Sequence, residues 1–301
     1  MPEPEPGRSQ PLVSVLTPSF NQAGWLPDNL RSVEAQTYPA IEHIVMDGGS
    51  GDDTLAVLRR SRHAGLIWQT ERDHGQSHAL NKAFGISRGQ IIGWLNSDDA
   101  YFGPTVVEEA VRVFQEHPDV GVVYGHAVLV NAEGLVLQVL WAPPFSRSLL
   151  RLHDFIVQPA AFIRREVVGG SLVDESYDYT MDYELWLRLS MRHRFRRLDR
   201  IVAIDRHHGA RKSYTMTDVG QREHERLGRQ YGVTSGRWWK FVRKLWKIGS
   251  RLVGATVIPA ATTEPVVFKA SRDGKLRFLA RQLATRRAAM STGENPTGRE
   301  P

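Results

Sequence analysis

Several short stretches of the chain concentrate residue types that do chemistry. Asn96-Ser97-Asp98-Asp99 sets two adjacent carboxylates after a short apolar run. Neighbouring carboxylates repel each other and cost stability unless a positive charge sits with them. A hard divalent cation, held by a carboxylate and completed by phosphate oxygens and water, would supply that charge. The same four residues also suit a turn followed by a helix cap. Asp47-Gly48-Gly49-Ser50-Gly51-Asp52-Asp53-Thr54 is a Gly-rich loop whose backbone allows close approach of a ligand. It is neither the dinucleotide fingerprint nor a P-loop. Asp47 there suits hydrogen bonds from a base or a sugar hydroxyl, or the closing of a tight turn. Asp73 in Glu71-Arg72-Asp73-His74-Gly75-Gln76-Ser77 precedes Ala79-Leu80-Asn81-Lys82, a helix start. Asp182 begins the helical run Asp182-Tyr183-Glu184-Leu185-Trp186-Leu187-Arg188, where a carboxylate complements the helix dipole. Arg206-His207-His208 suits metal ligation, pairing with phosphate, or plain exposure to solvent.

The elements that must position these residues alternate. Apolar runs at 13–17, 41–46, 66–69, 90–95 and 120–124 read as strands, the first stopped by Pro18. Helical spacing is found at 25–36, 54–60 (with Asp52 or Asp53 as cap), 77–87 and 104–116, with a loop at 96–100. This predicts βαβ units, a mainly parallel sheet covered on both faces, and ligands outside the carboxyl ends of the strands. Asp47, Asp73 and Asp98-Asp99 all fall at those ends. Beyond Tyr124 the pattern changes. A hairpin is expected from 128–130 and 135–140, an apolar stretch at 158–163, a helix at 182–191 and a last strand at 196–204.

With 301 residues, 41% of them hydrophobic, the chain can bury a large core without staples. It has no cysteine, which excludes disulfides, thiolate metal sites and thiol nucleophiles. The net charge of +6 is divided: residues 206–301 carry +13 and residues 1–205 carry −7. The basicity therefore belongs to the last third, and the acidic remainder argues against a nucleic-acid partner. Residues 236–253 hold six basic residues and no acid, with Trp238, Phe241, Leu245 and Trp246 largely on one helical face. Trp-rich apolar and Lys/Arg-rich polar faces mark an interfacial helix for an anionic membrane surface. Residues 1–11 and 290–301 are expected to be disordered, and 215–289 to be a helical basic extension. The Pro-rich acidic start is unlike a signal peptide, and no apolar run spans a bilayer. A cytoplasmic protein, peripheral at the inner membrane face, is the expectation.

The order of these pieces resembles the family 2 glycosyltransferases, of GT-A fold, over residues 12–214. The resemblance rests on Val13-Ser14-Val15-Leu16-Thr17-Pro18-Ser19-Phe20-Asn21, Val45-Met46-Asp47-Gly48-Gly49-Ser50, Asp73 with Asn81-Lys82, Trp94-Leu95-Asn96-Ser97-Asp98-Asp99 and the helix that begins at Asp182. It implies that Thr17, Pro18, Ser19 and Asn21 line a nucleotide pocket, that Asp47 contacts the base, and that Asp73, Asn81 and Lys82 serve the same ligand. Asp98 would face ribose or sugar, and Asp99 would bind Mg²⁺ or Mn²⁺ with His208. Asp182 would be the general base. Met181 stands where the family often has Glu, Ala83 where Gly is usual, and His78 where Asp is frequent. The Gln-x-x-Arg-Trp motif of processive synthases is absent, so transfer of a single sugar is expected.

The resemblance implies an inverting transfer from a nucleotide-diphosphate sugar, UDP-sugar favoured, to a hydroxyl of a glycan or a lipid-linked acceptor. The cation would act as a Lewis acid on the leaving diphosphate. Asp182 would take the acceptor proton late, because a carboxylate of ordinary pKa about 3.9 is a weak base towards a sugar hydroxyl. A non-catalytic sugar-nucleotide-binding or membrane scaffold protein on the same fold is the competing reading.

Overall fold

The computed structural model describes residues 10–134, 136–209 and 216–233. The expected helix at 236–253 and the tail at 290–301 lie outside them. The chain begins with β1 (Val13–Ser19), α1 (Leu26–Glu34), β2 (Ile41–Asp47), α2 (Thr54–Arg60), β3 (Leu66–Thr70), α3 (Gln76–Ile86) and β4 (Ile91–Trp94). These strands pair in parallel in the order β3-β2-β1-β4. β1 does not stop at Pro18. Leu16 O still accepts from Leu95 N on the β4 side, and Ser19 O accepts from Gly48 N on the β2 side. Alternation points the position of Pro18's missing N–H towards β4, past the last β1–β4 pair, where no ladder bond is lost.

The second half adds β5 (Ala100–Tyr101), α4 (Val106–Glu116), β6 (Val120–Asn131), β7 (Val136–Leu140), α5 (Arg147–Leu152), β8 (Ala161–Arg164), α6 (Met181–Ser190), β9 (Arg194–His207) and α7 (Thr217–Tyr231). The sheet continues from β4 through β8, β6 and β9 to β5, with β7 on the outer part of β6. β8 runs antiparallel to both its neighbours, β9 is parallel to β6, and β5 is antiparallel to β9. The sheet is therefore mixed: wholly parallel up to β4, and beyond it antiparallel except for the β6–β9 pair.

Three local expectations are corrected. The runs at 120–124 and 128–130 are one twelve-residue strand, β6. Gly125 does not break it. A Cβ there would lie 2.5 Å from Val202 Cγ2 and 2.8 Å from Arg200 O, so the glycine lets β9 approach. Ala100, expected in a loop, pairs with Ile204 of β9. Asp53 occupies the N-cap position of α2 without a side-chain bond, and Asp52 Oδ1 instead accepts from Thr54 N at 3.0 Å.

Leu16, Ile44, Met46, Leu80, Phe84, Trp186 and Leu187 pack one face of the sheet beneath α3 and α6. Val13, Val15, Val33, Val107, Val111 and Val123 pack the other beneath α1 and α4. α7 docks on the first layer through buried Leu227. No helix among the described residues is long and apolar enough to cross a membrane.

Candidate active site

A cleft of about 1310 Å³ opens along the carboxyl ends of β1–β4 and continues across the ends of β7, β9 and the start of α6. Pro18, Ser19, Phe20, Gly48, Arg72 and Asp73 line one end of it. Phe20 is an exposed aromatic at this end, 59% accessible. Gly48 is required here, since a Cβ would sit 2.7 Å from Asp73 Oδ2. Asp73 Oδ1 accepts from Gly75 N at 2.9 Å, which closes the loop into α3.

Asn96, Ser97, Asp98 and Asp99 form the middle of the cleft. Their turn is held by a polar network. Asn96 Oδ1 accepts from Gln76 Nε2 and Trp94 Nε1, both at 2.8 Å, and Asn96 Nδ2 donates to Gln158 Oε1 at 2.8 Å. Asn29, fully buried in α1, donates to Asn96 O at 2.8 Å. The β5–β9 pairing then brings the end of β9 alongside the turn. Here His208 Nε2 meets Asp98 Oδ2 at 2.9 Å, and the His208 ring stacks on Trp25 with centroids 5.1 Å apart. The Asp99 carboxylate, 2% exposed, takes bonds from Arg206 N at 3.1 Å and Asn96 Nδ2 at 3.2 Å. The carboxylate that His208 meets directly is thus that of Asp98, while Asp99, the expected metal ligand, lines the same cleft beside it. Arg206 is buried and spent on Asp28, on Asp98 O and on the Trp25 face.

The far end is lined by Trp141, Asp154, Tyr179, Asp182, Tyr183 and His224, among others. Asp182 lies in the first turn of α6, and its Oδ1 accepts from Tyr183 N at 2.8 Å. Glu223 of α7 orients this helix start by accepting from the N–H groups of Asp178, Tyr179 and Thr180 at 2.7, 3.0 and 2.8 Å. Asp154 Oδ1 is shielded from solvent and has no hydrogen-bond partner. Burial and the neighbouring Asp182 hold the Asp154 carboxyl well above the usual carboxylate range. Burial pushes the His224 imidazole down, so it is neutral at neutral pH. Seven aspartates and a single guanidinium, Arg72, line the cleft among the described residues.

The structure thus gathers Pro18, Ser19, Asp73, Asp98, Asp99 and Asp182 in one cleft, with His208 against Asp98. It does not bring the other expected residues to the cleft surface. Thr17 is buried beneath the floor, bonded to His43 Nε2 at 3.0 Å and Leu95 O at 2.8 Å. Asn21 is exposed and accepts from Gly51 N. Asp47 is consumed by its own turn, accepting from Gly49 N, Ser50 N, the Ser50 hydroxyl and Thr70 Oγ1. Asn81 bonds Val173 and Glu175, and Lys82 pairs with Glu71. Gln76, Asp154, Gln158, Glu223 and His224 escaped sequence reasoning. Gln76 stands in the stretch quoted around Asp73 but was given no role there, and the other four sit in no motif.

The sequence profile of glycosyl transferase family 2 matches residues 14–169, just over half of the chain. The chain belongs to this family. An uncharacterized glycosyltransferase of Mycobacterium tuberculosis is 36% identical over 58% of this chain and 65% of its own length. A chondroitin synthase of Escherichia coli is 28% identical over 71% of this chain and 32% of its own. The chain therefore spans just under two thirds of the first of these relatives. Among solved structures, S. aureus TarS residues 1–349 in complex with UDP-GlcNAc superposes over 95% of this chain and 93% of that one, with a TM-score of 0.59 and 16% identity. The Pyrobaculum calidifontis mannosyltransferase PcManGT in complex with GDP-Man and Mn²⁺ covers 93% of this chain and 87% of that one, with a TM-score of 0.58 and 16% identity. At these identities the likeness concerns the fold, which is GT-A. The family match ends before Asp182 and His208.

Proposed function

We propose that this family 2 member is an inverting glycosyltransferase that moves one sugar from a nucleotide-diphosphate donor, UDP-sugar favoured, to a hydroxyl of a glycan or lipid-linked acceptor. The observation that carries this reading is the presence of the Asp98–His208 pair and Asp182 in one continuous cleft. The nucleotide would enter at the Pro18–Ser19 and Gly48–Asp73 end, with exposed Phe20 offering an aromatic face to the base.

A diphosphate entering a cleft of seven aspartates and one arginine is opposed by charge. A carboxylate oxygen and an imidazole nitrogen 2.9 Å apart fit a Mg²⁺ or Mn²⁺ ion whose remaining positions are filled by phosphate oxygens and water. No cluster of three or more metal-binding side chains exists among the described residues, so Asp98 and His208 would be the protein's share. When bound, such an ion neutralises the leaving diphosphate. Asp98 and His208 fix where the diphosphate sits, and Asn96, Gln76 and Gln158 keep their turn in place. Asp182 receives the proton of the attacking hydroxyl as the bond to the anomeric carbon forms. With Asp182 as the base and no second carboxylate assigned as nucleophile, the reaction is a single displacement with inversion. The far end has no lysine or arginine among its described lining residues, which favours an uncharged hydroxyl acceptor. The basic, Trp-rich segment 236–253 would hold such an acceptor's membrane within reach.

The test is nucleotide release from a panel of UDP-, GDP- and dTDP-sugars with Mn²⁺ or Mg²⁺. Metal-dependent release from at least one donor is expected. No release from any of them, together with tight metal-dependent nucleotide binding, would favour the scaffold reading.

A further inference from the structure

The wall facing the base contains a carboxyl that the mechanism above does not use. Asp154 follows α5 and lines the same end of the cleft as Asp182. Its Oδ1 is buried without a partner, while the Ile156 N–H donates to the same carboxyl. The titratable groups around it are Asp182 and Tyr183 on α6, His153 beside it in the chain, and His224 on α7, whose ring lies 5.5 Å from that of Tyr183. Burial holds the Tyr183 phenol neutral and keeps His224 uncharged. No lysine or arginine lines this end among the described residues. An ionised Asp154 would therefore bury an anionic Oδ1 that has no hydrogen-bond donor, beside a second carboxylate. A proton on Oδ1 removes the repulsion and turns an orphan acceptor into a donor.

We propose that Asp154 is a positioning residue for the base: it keeps its proton at neutral pH, so that the Asp154–Asp182 pair presents one negative charge, on Asp182, to the attacking hydroxyl. The proposal rests on the reading of Asp182 as base. Its proton balance is simple. The pair holds one proton before attack and two after the acceptor hydroxyl has lost its own, and release to solvent restores the first state. On the alkaline side the pair loses its single proton, two anions face each other, and Asp182 is displaced.

Asp154→Asn copies the neutral acid and Asp154→Ala does not. In the full chain, Asp154→Asn is expected to keep transfer near the wild-type rate at pH 7 and to lose the alkaline fall that wild type shows. Asp154→Ala is expected to lose about tenfold or more through misplacement of the base. A second readout needs no activity. A carboxyl whose folded pKa is raised costs the fold progressively more as pH rises from its unfolded value of about 4 to its folded one. The Tm of Asp154→Asn minus that of wild type should therefore widen from pH 4 upward. Infrared difference spectra, wild type minus Asp154→Asn at pH 7, should show the carbonyl stretch of a protonated carboxyl. Should Asp154→Asn fail to fold, the same band in wild type should vanish at lower pH in Asp182→Asn, where the neighbouring charge is gone. A Tm difference that does not change with pH, or no such band, overturns the proposal. If instead these appear and no nucleotide sugar is turned over, the proton assignment stands and the enzyme reading falls.

Discussion

The donor half of the cleft hangs on four parallel strands whose ends follow one another along the chain, at Ser19, Asp47, Thr70 and Trp94. The half proposed for the acceptor is gathered from the β7–α5 and α5–β8 connections, the loop before α6 and a side chain of α7. In the first half each crossover returns the chain to the same rim, so a loop that lines the cleft recurs at regular intervals. In the second half β8 is antiparallel to both neighbours, and Asp154 and Asp182 line the same end of the cleft although 28 positions separate them. Parallel topology writes a site as motifs; mixed topology writes it as isolated residues. The halves should also fail differently when broken.

Asp182→Asn should produce the largest effect and confine it to the acceptor half. Transfer is expected to fall by about 10²–10⁴-fold, the usual contribution of a general base. Affinity for UDP with Mn²⁺, read by calorimetry, should hold. Near-normal turnover would move the base to another residue, and a parallel loss of nucleotide affinity would show that the two halves are not separable. Next in size, Asp98→Ala or His208→Ala should weaken Mn²⁺-dependent UDP binding by about 10–100-fold, as for loss of one charge-assisted contact. Metal-free affinity should change little. Unchanged calorimetric binding with Mn²⁺ in both variants would remove the pair from the cation's site.

Much of the donor half was legible because hydrophobic periodicity located β1 to β4 and the helices between them to within a few residues. The Asp-rich loops then fell at the strand ends by necessity. Motif membership, however, did not separate a residue that faces ligand from one that builds the loop. Asp47 stands where a base contact was expected, yet its carboxylate receives four bonds from its own turn and from Thr70. Thr17 alternates to the same face of β1 as Val13 and Val15, and both faces of that strand are buried. That His208 contacts Asp98 while Asp99 accepts from Arg206 N has the same origin. Adjacent residues on a turn point apart, and only the β5–β9 pairing, between segments about a hundred residues apart, decides which of them meets His208. Asp154 carried no signal, because its meaning depends on an unpaired oxygen and on a neighbour in another element.

Asn81→Ala should show the smallest effect, on the join between the halves. The residue sits in the resemblance motif on α3, in the donor half, but its Nδ2 donates to Val173 O at 3.0 Å and Glu175 Oε1 at 2.9 Å, and its Oδ1 accepts from Val173 N at 3.1 Å. Residues 173–175 lead directly into the loop that Glu223 caps before Asp182. Ser77, one turn earlier on α3, reaches the same loop through Tyr177 O at 2.9 Å. α3 is thus a strap across the two halves, and an amide that bonds both the N–H and the C=O of Val173 registers one against the other. Net hydrogen bonds contribute about 0.5–1.5 kcal/mol each, less where solvent competes as at Glu175, so removal of the amide should cost about 1–2 kcal/mol. The Tm should fall by several degrees while KM for the donor stays unchanged, because Asn81 does not reach the cleft. A raised donor KM with an unchanged Tm would return Asn81 to the nucleotide site. A lowered kcat alone would show that the strap sets the position of Asp182 as well as holding the fold together.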